Sequence, residues 1–286
     1  MPPPAPDGAA DAIRRTAREP APGPAPARVA LVTGAARRIG RAIALALAAD
    51  GWDIGVHYGR SSGEAEDTAA GIRRMGRRAT CLQADLAVEA EAARLLPALE
   101  AALGPVSAVV NNASRFEQDE VASFGYATLA AHIGPNLAAP LLLARMLGEA
   151  ATAGGRDGVV VNLLDQKLFN PNPDFLSYTM SKAALHAATT LLAQALAPRI
   201  RVVGVAPGLT LPSYLQDEDR FADAHRRYSP LGRSSTPDDV ASAVVFAMSN
   251  PAMTGTVMLV DGGQHLMPLA RDVSLMPAMP GAGAAR

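Results

Sequence analysis

The sequence predicts an α/β fold: a single doubly wound parallel sheet of about seven strands with helices on both faces. Three observations point there. Short β-branched apolar runs alternate with longer Ala/Leu-rich segments. The runs are nearly continuous in apolar residues, as expected when helices cover both faces of a sheet. A glycine turn, from Gly34 to Gly40, follows the first run. Right-handed crossovers then make the sheet parallel.

Taken in order, residues 28–33 (RVALVT) form the first strand and 38–50 the first helix. Residues 53–58 (DIGVHY) make a second strand, 65–75 a helix and 79–84 (ATCLQA) a third strand. A helix at 89–103 leads into a fourth strand at 107–111 (SAVVN). Residues 129–153 read as a long helix, 158–164 (GVVVNLL) as the fifth strand and 177–197 as another long helix. The sixth strand spans 201–206 (RVVGVA), a helix 237–248, and the seventh strand 256–260 (TVMLV). The domain is set at 28–270, between a Pro/Ala-rich disordered tail at 1–27 and a flexible C-terminal tail at 271–286.

Composition narrows the function classes. In 286 residues, 49% are hydrophobic and 19% charged, enough apolar material for one sizeable core. The net charge of −1 leaves no basic field for nucleic acid or anionic membrane, and 4% aromatics do not build a base-stacking platform. The single cysteine, Cys81, excludes an intrachain disulfide and a cysteine metal cluster. His57, His132, His186, His225 and His265 lack metal-ligand spacing, so no metal site is expected. No apolar run reaches the ~20 residues of a membrane span, and the N-terminus has no signal-peptide pattern. A cytoplasmic enzyme acting on a small molecule is the expectation.

The turn Thr33-Gly34-Ala35-Ala36-Arg37-Arg38-Ile39-Gly40 lies between the first strand and first helix. Glycine permits the tight turn, and a helix N-terminus offers unpaired N–H groups to a pyrophosphate, as in Rossmann-type nucleotide sites. Gly34 as a plain turn residue is the alternative. The second strand ends in His57-Tyr58-Gly59-Arg60-Ser61-Ser62, where NAD-selective sites place an acid for the ribose 2′-hydroxyl. Here Arg60 with Ser61 matches a 2′-phosphate instead, with Arg38 assisting, which favours NADP(H). A solvated loop arginine is the bland alternative.

Tyr178 and Lys182 are four residues apart at the start of a predicted helix, which puts phenol and ammonium on one face. A nearby cation is expected to pull the tyrosine pKa down towards working pH for proton transfer.

With these pieces in place, residues 28–270 resemble the short-chain dehydrogenases/reductases. The matching pieces are Thr33–Gly40, Asp85-Leu86, Asn111-Asn112-Ala113-Ser114, Asn136, Tyr178 with Lys182, Pro207-Gly208 and Asp261-Gly262-Gly263. The resemblance implies Tyr178 as acid/base, Lys182 on the nicotinamide ribose, and Asn136 in a water-borne proton relay. It places Asp85 and Leu86 by the adenine, Asn112 and Ala113 on the ribose side, and Gly34, Arg37, Ile39, Gly40, His57, Tyr58, Pro207, Gly208 and Leu209 around the cofactor. Two departures, Arg38 for the usual glycine and Asp165 for the usual catalytic serine, resemble the pteridine reductases, as do His57–Ser61 and Asn112–Phe116. Phe116 is then expected to stack on a flat pterin and Ser114 to bond its amide edge. Asp165 either keeps Tyr178 protonated or supplies the proton itself; a strand-end cap is the alternative, as is a core role for Phe116.

The leading expectation is therefore an NADP(H)-dependent reductase of a pteridine, with Asp165, Tyr178, Lys182 and Asn136 catalytic. A carbonyl reductase of ketones or quinones, and a catalytically impaired NADP-binding sensor, are the competing readings. Surplus apolar positions on 129–153 and 177–197, the dimer helices of the resembled family, imply a homo-oligomer, a tetramer by that resemblance. Residues 209–236 are expected to form a mobile lid.

Overall fold

The computed structural model describes residues 28–276; the predicted tail at 1–27 and residues 277–286 lie outside the described residues. Seven strands form one sheet: β1 (Val29–Val32), β2 (Asp53–Tyr58), β3 (Ala79–Gln83), β4 (Ala108–Asn111), β5 (Gly158–Leu163), β6 (Ile200–Pro207) and β7 (Val257–Val260). Their order is β3-β2-β1-β4-β5-β6-β7, and every neighbouring pair is parallel. β1, β4 and β5 are almost wholly buried and supply the aliphatic centre of the sheet.

One face carries α1 (Arg38–Ala49), α2 (Ser62–Arg74) and α9 (Pro237–Ser249). Ile43, Leu47, Ile72 and Val244 there bury against Val32, Ile54, Val161 and Val203. The other face carries α3 (Glu89–Ala92), α4 (Leu95–Leu103), α5 (Tyr126–Ile133), α6 (Ala139–Gly154) and α7 (Leu176–Ala195). Leu95, Leu99, Leu143, Leu147 and Ala193 meet Leu31, Val109 and Val160. Each fully buried aliphatic side chain contributes about 1.5–3 kcal/mol by leaving water. Chain order reverses between β1 and β4, and the crevice beyond their C-terminal ends is where doubly wound sheets place their ligands.

Four expectations change. The helix expected at 89–103 is broken into α3 and α4. The one at 129–153 starts earlier, at Tyr126, and widens into a π-helical turn at Gly134–Ala138 before α6. Pro135 in that stretch has no N–H to give the ladder, which favours such a local adjustment. Tyr126–Gly154 is long and apolar enough to cross a membrane by length and composition alone, although His132, Asn136, Arg145 and Glu149 interrupt it. Its inner face nonetheless packs on β4 and β5. Third, the segment at 209–236, expected as a mobile lid, holds its own helix, α8 (Glu218–Arg227), capped by the Asp217 side chain on the Arg220 N–H. Lastly, the boundary at 270 is too early: residues 271–276 turn back onto the domain, with a 3₁₀ turn at Val273–Leu275.

Candidate active site

The glycine turn crosses the start of α1 closely. Gly34 has φ +64°, and a Cβ on Gly40 would stand 2.1 Å from the Gly34 carbonyl oxygen, so both positions require glycine. Buried His57 holds the turn from below: its Nδ1 accepts the Gly34 N–H at 3.0 Å while Nε2 faces the Ala84 carbonyl at 3.2 Å. Burial pushes the His57 pKa down, so the neutral ring is the working form. His57 is thus a support for the turn, and half-buried Tyr58 packs against the core beside it. Asn112 Nδ2 donates to the Thr33 and Gly34 carbonyls at 2.9 and 3.3 Å, and the Ala113 N–H donates to Thr33 Oγ1 at 3.0 Å. The β4 loop and the turn are therefore one rigid unit.

No side chain caps α1, whose N-cap is Arg37. Its first N–H groups point at the crevice, ready for an anion. Arg37 and Ile39 line the cavity, while Arg60 and Ser61 lie at the exposed end of β2, Ser61 as the N-cap of α2. Arg38 keeps the glycine-like backbone, φ 55°, at a cost of about 1–2 kcal/mol. Its guanidinium donates to the Pro212 carbonyl at 3.0 Å, joining the turn to the segment after β6. Asp85 is exposed and accepts the Ala87 N–H at 2.9 Å, with Leu86 buried beside it.

A cavity of about 580 Å³ opens beyond the strand ends. Ser114, Phe116, Asp165, Tyr178, Lys182, Pro207, Gly208 and Leu209 all line it. α7 carries Tyr178 and Lys182 one turn apart, and its position on the sheet is fixed by a buried relay: Asn111 Nδ2 donates to Asn162 Oδ1 at 2.8 Å, and Asn162 Nδ2 to Thr189 Oγ1 at 3.0 Å.

The centre is a carboxyl–phenol pair. Tyr178 Oη donates to Asp165 Oδ2 at 2.7 Å, while Asp165 Oδ1 accepts the Lys167 N–H at 2.8 Å. Burial raises the Asp165 pKa against the lowering effect of these bonds. Burial and the adjoining carboxylate hold the Tyr178 pKa well above its ordinary value. Lys182 Nζ donates to the Leu163 carbonyl at 2.7 Å and stands 5.9 Å from the Tyr178 ring centre. Burial brings its pKa down to about 8. Of the two influences expected on Tyr178, lowering by Lys182 and retention of the proton beside Asp165, the second prevails, because Asp165 is in direct contact.

Asn136, in the π turn, spends its side chain on protein partners. Nδ2 donates to the Arg115 carbonyl at 3.0 Å and to Ser181 Oγ at 2.9 Å, and Oδ1 accepts the Arg115 N–H at 2.7 Å. It clamps the β4 loop to α7. One face of Phe116 is taken, stacked on Phe175 at 4.3 Å, and its ring lies edge-on to Tyr178 at 4.7 Å. Ser114 is exposed at the cavity, with Oγ 3.3 Å from Asn136 Oδ1.

Sequence reasoning missed Tyr214 and Gln264, and the group Asp174, Arg271 and Asp272. Tyr214 closes the rim from the lid, accepting the Gln118 N–H at 3.0 Å; Gln264 Oε1 accepts the Leu209 N–H at 2.9 Å. Arg271-Asp272, an isolated charged pair before an uncharged Pro/Ala/Gly stretch, was the available signal for the C-terminal contribution.

Known proteins are similar to this chain over most of its length. A family profile described as "Enoyl-(Acyl carrier protein) reductase" matches residues 34–265. The chain is 35% identical over 252 residues to granaticin polyketide synthase putative ketoacyl reductase 2 of Streptomyces violaceoruber, covering 84% of this chain and 97% of that one. Pteridine reductase 1 of Leishmania tarentolae is 34% identical over 289 residues, covering 84% and 97%. The crystal structure of FolM alternative dihydrofolate reductase 1 from Brucella suis in complex with NADP is similar with a TM-score of 0.80 and 41% identity, over 84% of this chain and 96% of that one.

Proposed function

The chain belongs to the short-chain dehydrogenase/reductase family, and from that premise we propose that it is an NADPH-dependent reductase acting on the C=N bond of a dihydropteridine or dihydrofolate. The observation that carries this reading is the 2.7 Å contact between Asp165 and Tyr178 in a buried setting that raises both pKa values. A carboxyl group whose proton affinity is raised suits passing a proton through Tyr178 to a ring nitrogen, whereas the serine usual at that place suits carbonyl polarisation.

The residues fit the cofactor: Gly34 and Gly40 let the turn pass close to the uncapped start of α1, whose free N–H groups would hold a pyrophosphate. Arg60 and Ser61 offer a 2′-phosphate a charge-assisted corner with no acid in it. When bound, NADPH supplies the hydride. Lys182 would hold the nicotinamide ribose, and Ser114 and the open edge of Phe116 would orient the pterin. Tyr178 gives its hydroxyl proton to the imine nitrogen, and Asp165 returns one through their hydrogen bond. Asn136 keeps the β4 loop and α7 in register so that these groups converge. The likeness to pteridine reductase 1 and to the NADP-bound dihydrofolate reductase supports the same substrate class. The ketoacyl reductase relative favours a second reading, carbonyl reduction. NADPH oxidation by the wild-type protein, followed with dihydrobiopterin, dihydrofolate, a simple ketone and a quinone, tests the choice. The dihydropterins are expected to turn over fastest; a ketone-only enzyme supports the second reading, and NADPH binding without any turnover supports a sensor.

A further inference from the structure

Two ion pairs next to the donor pair, each with one buried member, Lys167 and Asp174, have no part in the chemistry above. Lys167 is 3% exposed, an unusual place for a lysine. Its stem crosses the Phe175 ring, with Nζ 5.2 Å from the ring centre, and ends 3.1 Å from Asp272 Oδ2. Asp272 is fastened in turn. Its N–H donates to Asp174 Oδ2 at 2.6 Å, and buried Asp174 is gripped by Arg271 through Nε at 2.9 Å and Nη2 at 2.8 Å. The other Asp272 oxygen accepts the Ser274 N–H at 3.0 Å and hydroxyl at 2.7 Å, which starts the last 3₁₀ turn. Asp272, Val273 and Ser274 then line the cavity opposite Tyr178, together with Lys167.

A buried ammonium or carboxylate is tolerated only with its partner, so each of Lys167 and Asp272 fixes the other. Lys167 is also tied to the donor pair through its own N–H, which Asp165 accepts. The pairing therefore sets where the end of the chain stands relative to the reacting groups.

We infer that Lys167 and Asp272 are positioning residues that hold residues 271–276 as a fixed wall of the substrate cavity, and so determine which substrates fit. The inference rests on reading that cavity as the reductase site. A loose wall would admit and orient the substrate poorly without touching cofactor binding.

The test uses the full chain and four variants: Lys167→Met, Asp272→Asn, Lys167→Arg, and Lys167→Met with Asp272→Asn. Amide hydrogen exchange is read at Asp272 and Ser274, whose N–H groups are bonded in the wall, and steady-state kinetics are run with dihydrobiopterin. Either neutralising variant is expected to lose exchange protection at those amides and to raise the substrate KM about tenfold or more, the scale of a lost charge-assisted bond. Its kcat should change less, and NADPH affinity, read by fluorescence titration, should hold. Lys167→Arg should restore protection and KM, and the double variant should be no worse than the poorer single one, because both remove one interaction. Unchanged exchange with unchanged KM in Asp272→Asn overturns the inference; so do effects that add in the double variant. A wild-type enzyme that ignores dihydropterins overturns the substrate reading alone. The wall is then judged on the exchange data and on the KM of the carbonyl compound that is reduced.

Discussion

Replacing Asp165 by Asn separates shape from proton supply. The carboxamide has the size of the carboxyl group, so its oxygen can still accept the Lys167 N–H, now 2.8 Å from Oδ1, and its NH₂ then faces Tyr178 Oη, now 2.7 Å from Oδ2. The amide donates to the phenol but has no proton to release. Reduction of a dihydropterin should fall by about 10²–10⁴-fold in kcat, the usual worth of general acid–base assistance. At about 1.4 kcal/mol per tenfold, that is a barrier higher by roughly 3–5 kcal/mol. NADPH affinity should be unchanged, since the glycine turn, Arg60 and the Lys182–Leu163 bond are left intact. Stability supplies an internal control. The folded-state pKa of Asp165 is raised above its unfolded value, so its contribution to stability is complete below the unfolded pKa and lost as pH rises through the folded one. The Asn variant, which has no charge to bury, should therefore gain in Tm relative to wild type as pH increases. Stopped-flow NADPH oxidation, cofactor titration and melting curves from pH 5 to about 9 read all three. Full pterin activity in Asp165→Asn would refute the reasoning, leaving Asp165 as a cap of the turn at Gln166–Leu168.

Four further outcomes are expected. Arg60→Ala should raise the KM for NADPH by about 10- to 100-fold while leaving NADH nearly unaffected, the scale of a lost charge-assisted contact; equal effects on both cofactors would remove Arg60 from the 2′-phosphate. The kcat/KM for pterin should be highest on the acid side and fall as pH rises, both as Asp165 loses its proton and as Lys182 loses its charge near about 8; an Asp165→Asn profile should keep only the Lys182 fall. Leu191 on α7, 63% exposed, and the outward side of α6 should be covered in a homo-oligomer, so light scattering should give a tetramer, and a clean monomer at micromolar concentration would contradict it. Proteolysis of the apo protein should cut first between residues 209 and 236, with NADPH and substrate slowing the cut; cleavage indifferent to ligands would make that segment a static surface.

The sheet was legible in the sequence because its strands are buried on both faces, and an unbroken run such as Val109-Val110 or Val159-Val160-Val161 has few other homes. Tyr178, Lys182 and Asp165 were legible as a set because they sit at strand and helix ends whose order the alternation fixes. What escaped depends on contacts between residues distant in the chain. Lys167 looks like a surface lysine until Asp272, 105 residues later, arrives as its partner. Which influence governs Tyr178 was open for a related reason: helical spacing fixes the distance to Lys182, while the carboxylate that outweighs it comes from a different element. The helix within the lid did carry local signals, Asp217 as a cap and His225-Arg226-Arg227 in the last turn, but its charged surface resembles that of a solvated loop. Nor does sequence disclose that Arg38 bonds to the Pro212 carbonyl, 174 residues further along the chain.

The central claim is that this chain moves a hydride from NADPH to the carbon of a pterin C=N bond while Tyr178 and Asp165 supply the proton. A single turnover with NADPH deuterated at the transferred position, equimolar enzyme and dihydrobiopterin, analysed by mass spectrometry, tests it most directly. The expected result is one deuterium on the reduced carbon of tetrahydrobiopterin in the wild type, with little or none formed by Tyr178→Phe over the same time. Bound NADPH that retains its deuterium in the presence of dihydrobiopterin, while a ketone takes it up, would contradict the claim.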